Sequence, residues 1–259
     1  MRAPSPADPR RALVFGAPGS GVEVVADELS HGFDEVRAWD GTEQWSGSEP
    51  SHGAESAEWS LVVRTVSAEG RSLGRLLRNG RAKSLDQGLE IMKTSLLRQR
   101  GLRVRARVIL DTSRLGEAQL RGRVSSLLAA GVGQGAKPVV VLESFAYPNG
   151  VPLDLDWCGD VRGLRNPYWD EALRPLSGID PRIRDYVLQQ PLAQRLLERF
   201  ERLVLDEMPT WTDQKRQVVR LALGCTGGFH RSVALCQELG DRLTTQGVST
   251  LRWHRELPD

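Results

Sequence analysis

Two short stretches place chemistry-bearing residues at the spacing that anion binding needs. The first is Gly16-Ala-Pro-Gly-Ser-Gly21, with Gly16, Gly19, Ser20 and Gly21 as candidate contacts. In the pattern G-x-x-x-x-G-K-[ST], backbone N–H groups wrap phosphates, lysine neutralises them and the hydroxyl holds magnesium. Here the glycine spacing is kept, but Val22 stands at the lysine position and Glu23 at the hydroxyl position. Valine brings no charge, and Glu23 brings a negative one close to where a phosphate would lie. The stretch therefore reads as a degenerate cradle. No catalytic residue is assigned, no cofactor is required, and ATP or GTP is expected to bind weakly if it binds.

The second stretch is Gly224-Cys-Thr-Gly-Gly-Phe-His-Arg-Ser232, between an apolar run and a helix-like pattern. Adjacent glycines let the chain curl its N–H groups inward, and a helix N-terminus adds a positive field. Arg231 can grip an anion in bidentate fashion, while Thr226 and His230 add donors. Cys225 and Arg231 also keep the spacing of cysteine-dependent phosphatases, in which a thiolate attacks phosphate. That chemistry needs an acid for the leaving group, and Asp160 is the candidate. A plain anion site and a phosphatase both stay open on these residues.

The elements that must position these loops follow from the hydrophobic pattern. Strands are predicted at Arg11–Phe15, Leu61–Val66, Val104–Leu110, Val139–Leu142 and Val218–Leu223. Helices are predicted at Val22–Leu29, Ser84–Arg100, Leu115–Ala130, Ile183–Leu188, Ala193–Leu205 and Arg231–Gln246, with Asp111-Thr-Ser113 capping the third. Residues 41–58 read as a polar, mobile loop, and 144–181 as an irregular region too long to be idle. Gly131–Pro138 is the best linker. The fold class is α/β in two domains, 1–134 and 135–259.

Composition agrees with a globular chain of 259 residues, 40% hydrophobic and 26% charged. Charge is uneven. Arg64–Arg107 holds 12 basic residues against 3 acids, a local +9, while Lys137 to the end holds 16 against 17. A polyanion would meet the first segment more readily. No run reaches the roughly 18 apolar residues of a membrane span, and Met1–Arg11 has no signal-peptide core, so a cytoplasmic protein without a membrane partner is expected. Three cysteines at irregular spacing make neither a disulfide framework nor a zinc site, and no metal site is expected. His31 and His52 lack ligand companions. The seven tryptophans are scattered and read as packing residues, Cys236 as core, and Asp154 and Asp156 as turn caps.

The second half also resembles the RapZ/YvcJ family of bacterial P-loop proteins. The matching motifs are Glu143-Ser-Phe145, Gly150-Val-Pro-Leu-Asp154, Asp160-Val-Arg162, Asn166-Pro-Tyr-Trp169, Leu173-Arg-Pro-Leu-Ser-Gly178 and Gly224–Ser232. They cover residues 139–259 in order. The first half resembles the family only through Gly16–Gly21 and Asp111-Thr-Ser113. The resemblance implies an N-terminal P-loop kinase-like domain and a C-terminal α/β domain that senses a phosphorylated amino sugar, glucosamine-6-phosphate. It also implies a small RNA, or an RNase or regulatory protein, as partner, and a homo-oligomer.

Carried over, the phosphosugar pocket would use Cys225, Thr226, Gly227, Gly228, His230 and Arg231, with Asp160, Arg162 and Arg174 from the irregular region. The chain departs from the family in three places: the missing lysine, Tyr168 where the family carries histidine, and an acidic end to the tail Arg252–Asp259 where RNA-binding members are basic. The leading expectation is a regulatory metabolite sensor. The alternatives are a nucleotide-binding NTPase of the YvcJ type, a cysteine phosphatase and a pure RNA-binding module.

Overall fold

A computed structural model of the chain describes residues 9–43, 59–103, 105–134 and 137–258. Two compact units divide between Ala129 and Ala130, and each is built on its own four-stranded parallel sheet. The predicted loop at 41–58 lies outside the described residues from 44 onward, as do the first eight residues.

In the first unit the strands are β1 (Arg11–Gly16), β2 (Glu35–Trp39), β3 (Leu61–Val66) and β4 (Val108–Asp111), in spatial order β2-β1-β3-β4. β1 and β3 are near-continuous apolar runs because parallel strands are buried on both faces. Helix α1 (Val22–Leu29) links β1 to β2, while α2 (Glu69–Arg78), α3 (Leu85–Arg98) and α4 (Arg100–Arg103) lie between β3 and β4. Leu13, Phe15 and Val62 pack against Leu102 of α4 on one face. On the other, α1 packs against α5 (Glu117–Ala129).

Two expectations shift here. The third predicted strand begins later, at Val108, because Arg105 N–H bonds the Leu102 carbonyl at 3.0 Å and so extends the α4 turn. Asp111 does not cap α5. It ends β4 and accepts the Ser113 N–H at 2.9 Å, and the start of α5 is held instead by Gln119 Oε1, which accepts from Gly116 N–H at 3.1 Å.

The second unit orders its strands β6-β7-β5-β8, where β5 is Val139–Ala146, β6 Trp157–Asp160, β7 Val218–Cys225 and β8 Thr250–His254. Val140 and Leu142 of β5 and Val219, Leu221 and Leu223 of β7 form one core with three helices. These are α6 (Pro181–Leu188), α7 (Pro191–Asp213) and α8 (Arg231–Thr245). Alternation along the strands sends Glu143 and Arg220 to the opposite face. There Arg220, 2% exposed, pairs with Asp154 at 2.5 Å and Glu143 at 3.3 Å, and lies 4.5 Å over the Trp253 ring. Asp156 accepts the Arg220 backbone N–H at 2.8 Å and pairs with Arg216. Asp154 and Asp156 are thus partners of buried or half-buried arginines rather than turn caps.

The scattered tryptophans divide: Trp59, Trp211 and Trp253 are buried, whereas Trp169 is 78% exposed and Trp157 also faces solvent. Cys236 is fully buried, and burial pushes its thiol pKa up. Among the described residues no helix is long and apolar enough to cross a membrane, and no cluster of His, Cys, Asp and Glu is arranged to hold a metal.

Candidate functional site

The two glycine loops occupy equivalent places, after a central parallel strand and before a helix, yet they are built differently. In the first, Ser20 is fully buried and its hydroxyl shares a hydrogen bond with Thr65 Oγ1 at 2.6 Å, while Thr112 Oγ1 donates to Ser20 O at 2.8 Å. Val22 is 1% exposed, an apolar anchor of α1 at the position where a phosphate-binding lysine would reach outward. Helix α2 lies against the loop: Arg75 Nη1 donates to Gly19 O at 2.6 Å, and a side chain on Gly19 would come within 3.0 Å of Ser72 O. A side chain on Gly16 would meet Thr65 Oγ1 at 2.0 Å. Packing within the unit therefore demands glycine at Gly16 and Gly19, whether or not a phosphate ever visits.

The second loop is open at its tip. β7 delivers Cys225 to the carboxyl end of the sheet, where its Sγ accepts the Gly228 N–H at 3.1 Å and lies 3.2 Å from Ser232 Oγ. Gly228 has φ +63°, and a side chain there would approach Ala146 N to 2.8 Å, so only glycine lets the chain turn back over β5. Thr226 and Gly227 are exposed, and nothing lies within 4 Å of where a Gly227 side chain would begin. His230, the residue before α8, gives no side-chain cap. The first amides of α8 consequently receive no cap from the His230 side chain, and the N-terminal end of a helix is electropositive.

Residues 160–178 fold back onto this loop. Asp160 pairs in register with Gly224, and Val161 N–H bonds Gly224 O at 3.0 Å. Arg231, 4% exposed, donates from Nη1 to the carbonyls of Arg162 (3.0 Å) and Leu164 (2.9 Å), and from Nη2 to Thr226 Oγ1 (3.2 Å). Its Nε is buried without an acceptor among the described residues. The guanidinium thus straps the irregular region to the loop and keeps a buried positive charge behind it, instead of presenting a free fork to solvent.

Asp160 and Arg162 form an ion pair at 2.7 Å, and Arg162 lies 4.0 Å over the Tyr147 ring. The hydrogen bonds from Arg162 hold the Asp160 carboxyl below its ordinary pKa. A carboxylate held ionised is a poor leaving-group acid, which weakens the phosphatase reading. His230 Nε2 bonds Arg174 O at 3.1 Å, and burial followed by the nearby Arg231 charge lowers its pKa, so it stays mainly neutral at pH 7. Arg174 reaches the loop through this carbonyl. Its guanidinium turns to Tyr168, donating to Tyr168 O at 3.0 Å and lying 5.0 Å from the ring.

Sequence reasoning passed over two features of the same unit. One is the buried Glu143–Arg220–Asp154 group. The other is a chain from Ser144 Oγ to His254 Nδ1 (2.8 Å) and from His254 Nε2 to Gln237 Nε2 (3.0 Å), which ties β5, β8 and α8 together. Charges inside the runs Val139–Phe145 and Val218–Leu223 were the available signal, since a buried charge needs a partner.

The fold defines an α/β protein of two parallel sheets, the second with an open glycine turn between β7 and the N-terminus of α8. Residues 138–258 match the family model described as the RapZ C-terminal domain, which supports the resemblance to the RapZ/YvcJ family. A nucleotide-binding protein of Frankia casuarinae is 42% identical over 156 residues, 60% of this chain and 53% of the relative. One from Methylibium petroleiphilum is 42% identical over 152 residues, 59% of this chain and 48% of the relative. A third, from Cutibacterium acnes, is 36% identical over 176 residues, 67% and 60% respectively. The chain thus spans about half the length of the curated relatives it matches.

Proposed function

We propose that the second unit is a sensor of a phosphorylated small molecule, with glucosamine-6-phosphate as the preferred ligand. The reading rests on one observation: α8 begins without a side-chain cap beneath an open glycine turn, with the buried Arg231 charge behind it. Phosphate would take the amides of Gly227 and the first turn of α8 together with Thr226 Oγ1. Asp160 and the carbonyls of the 160–174 segment would receive sugar hydroxyls and the amine. An RNA or a regulatory protein would read the bound state in the cytoplasm, and assembly into a homo-oligomer belongs to the same reading.

Gly227→Asp tests this without disturbing packing, because a side chain there enters open space. Wild type and variant are melted with glucosamine-6-phosphate, glucose-6-phosphate, inorganic phosphate and ATP with magnesium. A ligand at 100 times its Kd should add about 2.7 kcal/mol to wild type. The expected result is stabilisation by the amino-sugar phosphate, lost in Gly227→Asp at an unchanged unliganded Tm. Equal stabilisation of both proteins would refute it.

A second reading, nucleotide binding, is supported by the names of the relatives, which are called nucleotide-binding proteins. For the first unit it must contend with a buried Val22 and with α2 packed against Gly19. Stabilisation by ATP with magnesium that survives Gly227→Asp would bring it forward.

A further inference from the structure

The first unit contains a cavity of about 460 Å³ that the readings above leave unused. Its position follows from topology. β1 leads to β2 on one side of the sheet and β3 leads to β4 on the other, so the crossovers diverge between β1 and β3. In parallel sheets that divergence opens a crevice outside the carboxyl ends of the strands, a recurrent place for ligands. The end of β3 forms one wall. The other is a single face of α3, where Leu89, Met92, Lys93 and Leu96 recur at helical spacing. Only Ala17 of the glycine loop borders the cavity, so it is a different place from the phosphate cradle.

Three properties of the lining define what would fit. Arg64 and Lys93 supply two positive charges against the single carboxylate of Glu69, and Arg64 is partly desolvated beside Arg103, an arrangement that a bound anion would relieve. Gln99 is 1% exposed, and its amide nitrogen is committed to Gly16 O at 2.7 Å and Ser95 Oγ at 3.0 Å. Its Oε1 accepts no hydrogen bond among the described residues, an acceptor that is costly to leave unmet. Leu89, Met92 and Leu96 supply an apolar surface, and Leu89 remains 40% exposed.

We propose that this cavity binds a small organic anion, its phosphate or carboxylate taken by Arg64 and Lys93, its ring-sized apolar body by the α3 face, and an N–H or O–H by Gln99 Oε1. The site is independent of the phosphosugar loop, which lies in the other unit.

The test uses the full chain and 1-anilinonaphthalene-8-sulfonate, an anion with an apolar body whose fluorescence rises on binding. Saturable binding is expected, weakened about fivefold to tenfold by Lys93→Gln and by Leu89→Asp, a loss of one contact's worth of affinity. Both positions are surface-exposed, so folding should survive. Arg100→Gln, exposed on α4, and Gly227→Asp should change nothing. Displacement by adenosine monophosphate marks a phosphate-bearing ligand, and displacement by indole-3-acetate a carboxylate-bearing one; either supports the proposal. Equal probe affinity in all variants overturns it. So does displacement by inorganic phosphate alone, or failure of both organic anions to displace the probe.

Discussion

At residue scale, Val22 carries the sharpest consequence. It stands where a phosphate-loop lysine would, but it is 1% exposed in the packing of α1. Restoring the motif with Val22→Lys would bury an ammonium without a partner. We expect a loss of roughly 2–4 kcal/mol in denaturant unfolding and no gain in ATP affinity. A variant that binds ATP tightly at unchanged stability would show that the loop can still open. Arg231 teaches the reverse lesson. Sequence spacing marked it as an anion grip, while its hydrogen bonds to Arg162 and Leu164 give it a structural duty as well. Arg231→Ala should therefore lower Tm even in the absence of ligand, which is why Gly227→Asp is the cleaner probe.

At the scale of elements, the second sheet carries a buried ionic layer between β5, β7 and the segment at Asp154. Asp154→Ala would leave Arg220 less compensated. A cost of about 3–5 kcal/mol is expected in urea unfolding, against less than about 1 kcal/mol for an exposed pair such as Arg182–Asp180. β8 adds a pH dependence. Burial, with Arg252 in support, lowers the His254 pKa from 6.5 to about 4. The unfolded chain therefore takes up a proton that the folded chain refuses, and stability falls as pH drops from about 6.5 toward 4. His254→Gln should flatten that part of the Tm–pH profile, and an unchanged slope would assign it to other groups.

The strands and helices with strong apolar periodicity were legible in sequence: β1, α1, β3, α3, β5, β7 and α8 fall within a few residues of their expected places. β2, β6 and β8 were not, because edge strands such as Glu35–Trp39 are only half-buried and lack a continuous apolar run. Helix α2 was hidden by its glycines and arginines. Helix α7 ran eight residues past its expected end and through Pro209, where sequence reasoning anticipates a break.

At the scale of the molecule, two units share one design, a parallel sheet with a glycine loop at its carboxyl edge, but differ in what the loop can meet. In the first, α2 rests on the loop and the open volume lies beside it. In the second, nothing lies within 4 Å of where a Gly227 side chain would begin, and the family match spans the unit from residue 138 to 258. The loop itself was readable from Gly224–Ser232. The way residues 160–178 close over it was not, since that depends on long-range contacts such as Gly178 N–H to Phe229 O at 2.8 Å.

The central claim, that the loop at the start of α8 receives a phosphorylated metabolite, is tested most directly by titrating the isotopically labelled chain with glucosamine-6-phosphate and following backbone amide resonances. Saturable shifts are expected at Thr226, Gly227 and the first turn of α8, absent in Gly227→Asp. Saturable shifts confined to other residues, or none at millimolar ligand, would contradict it.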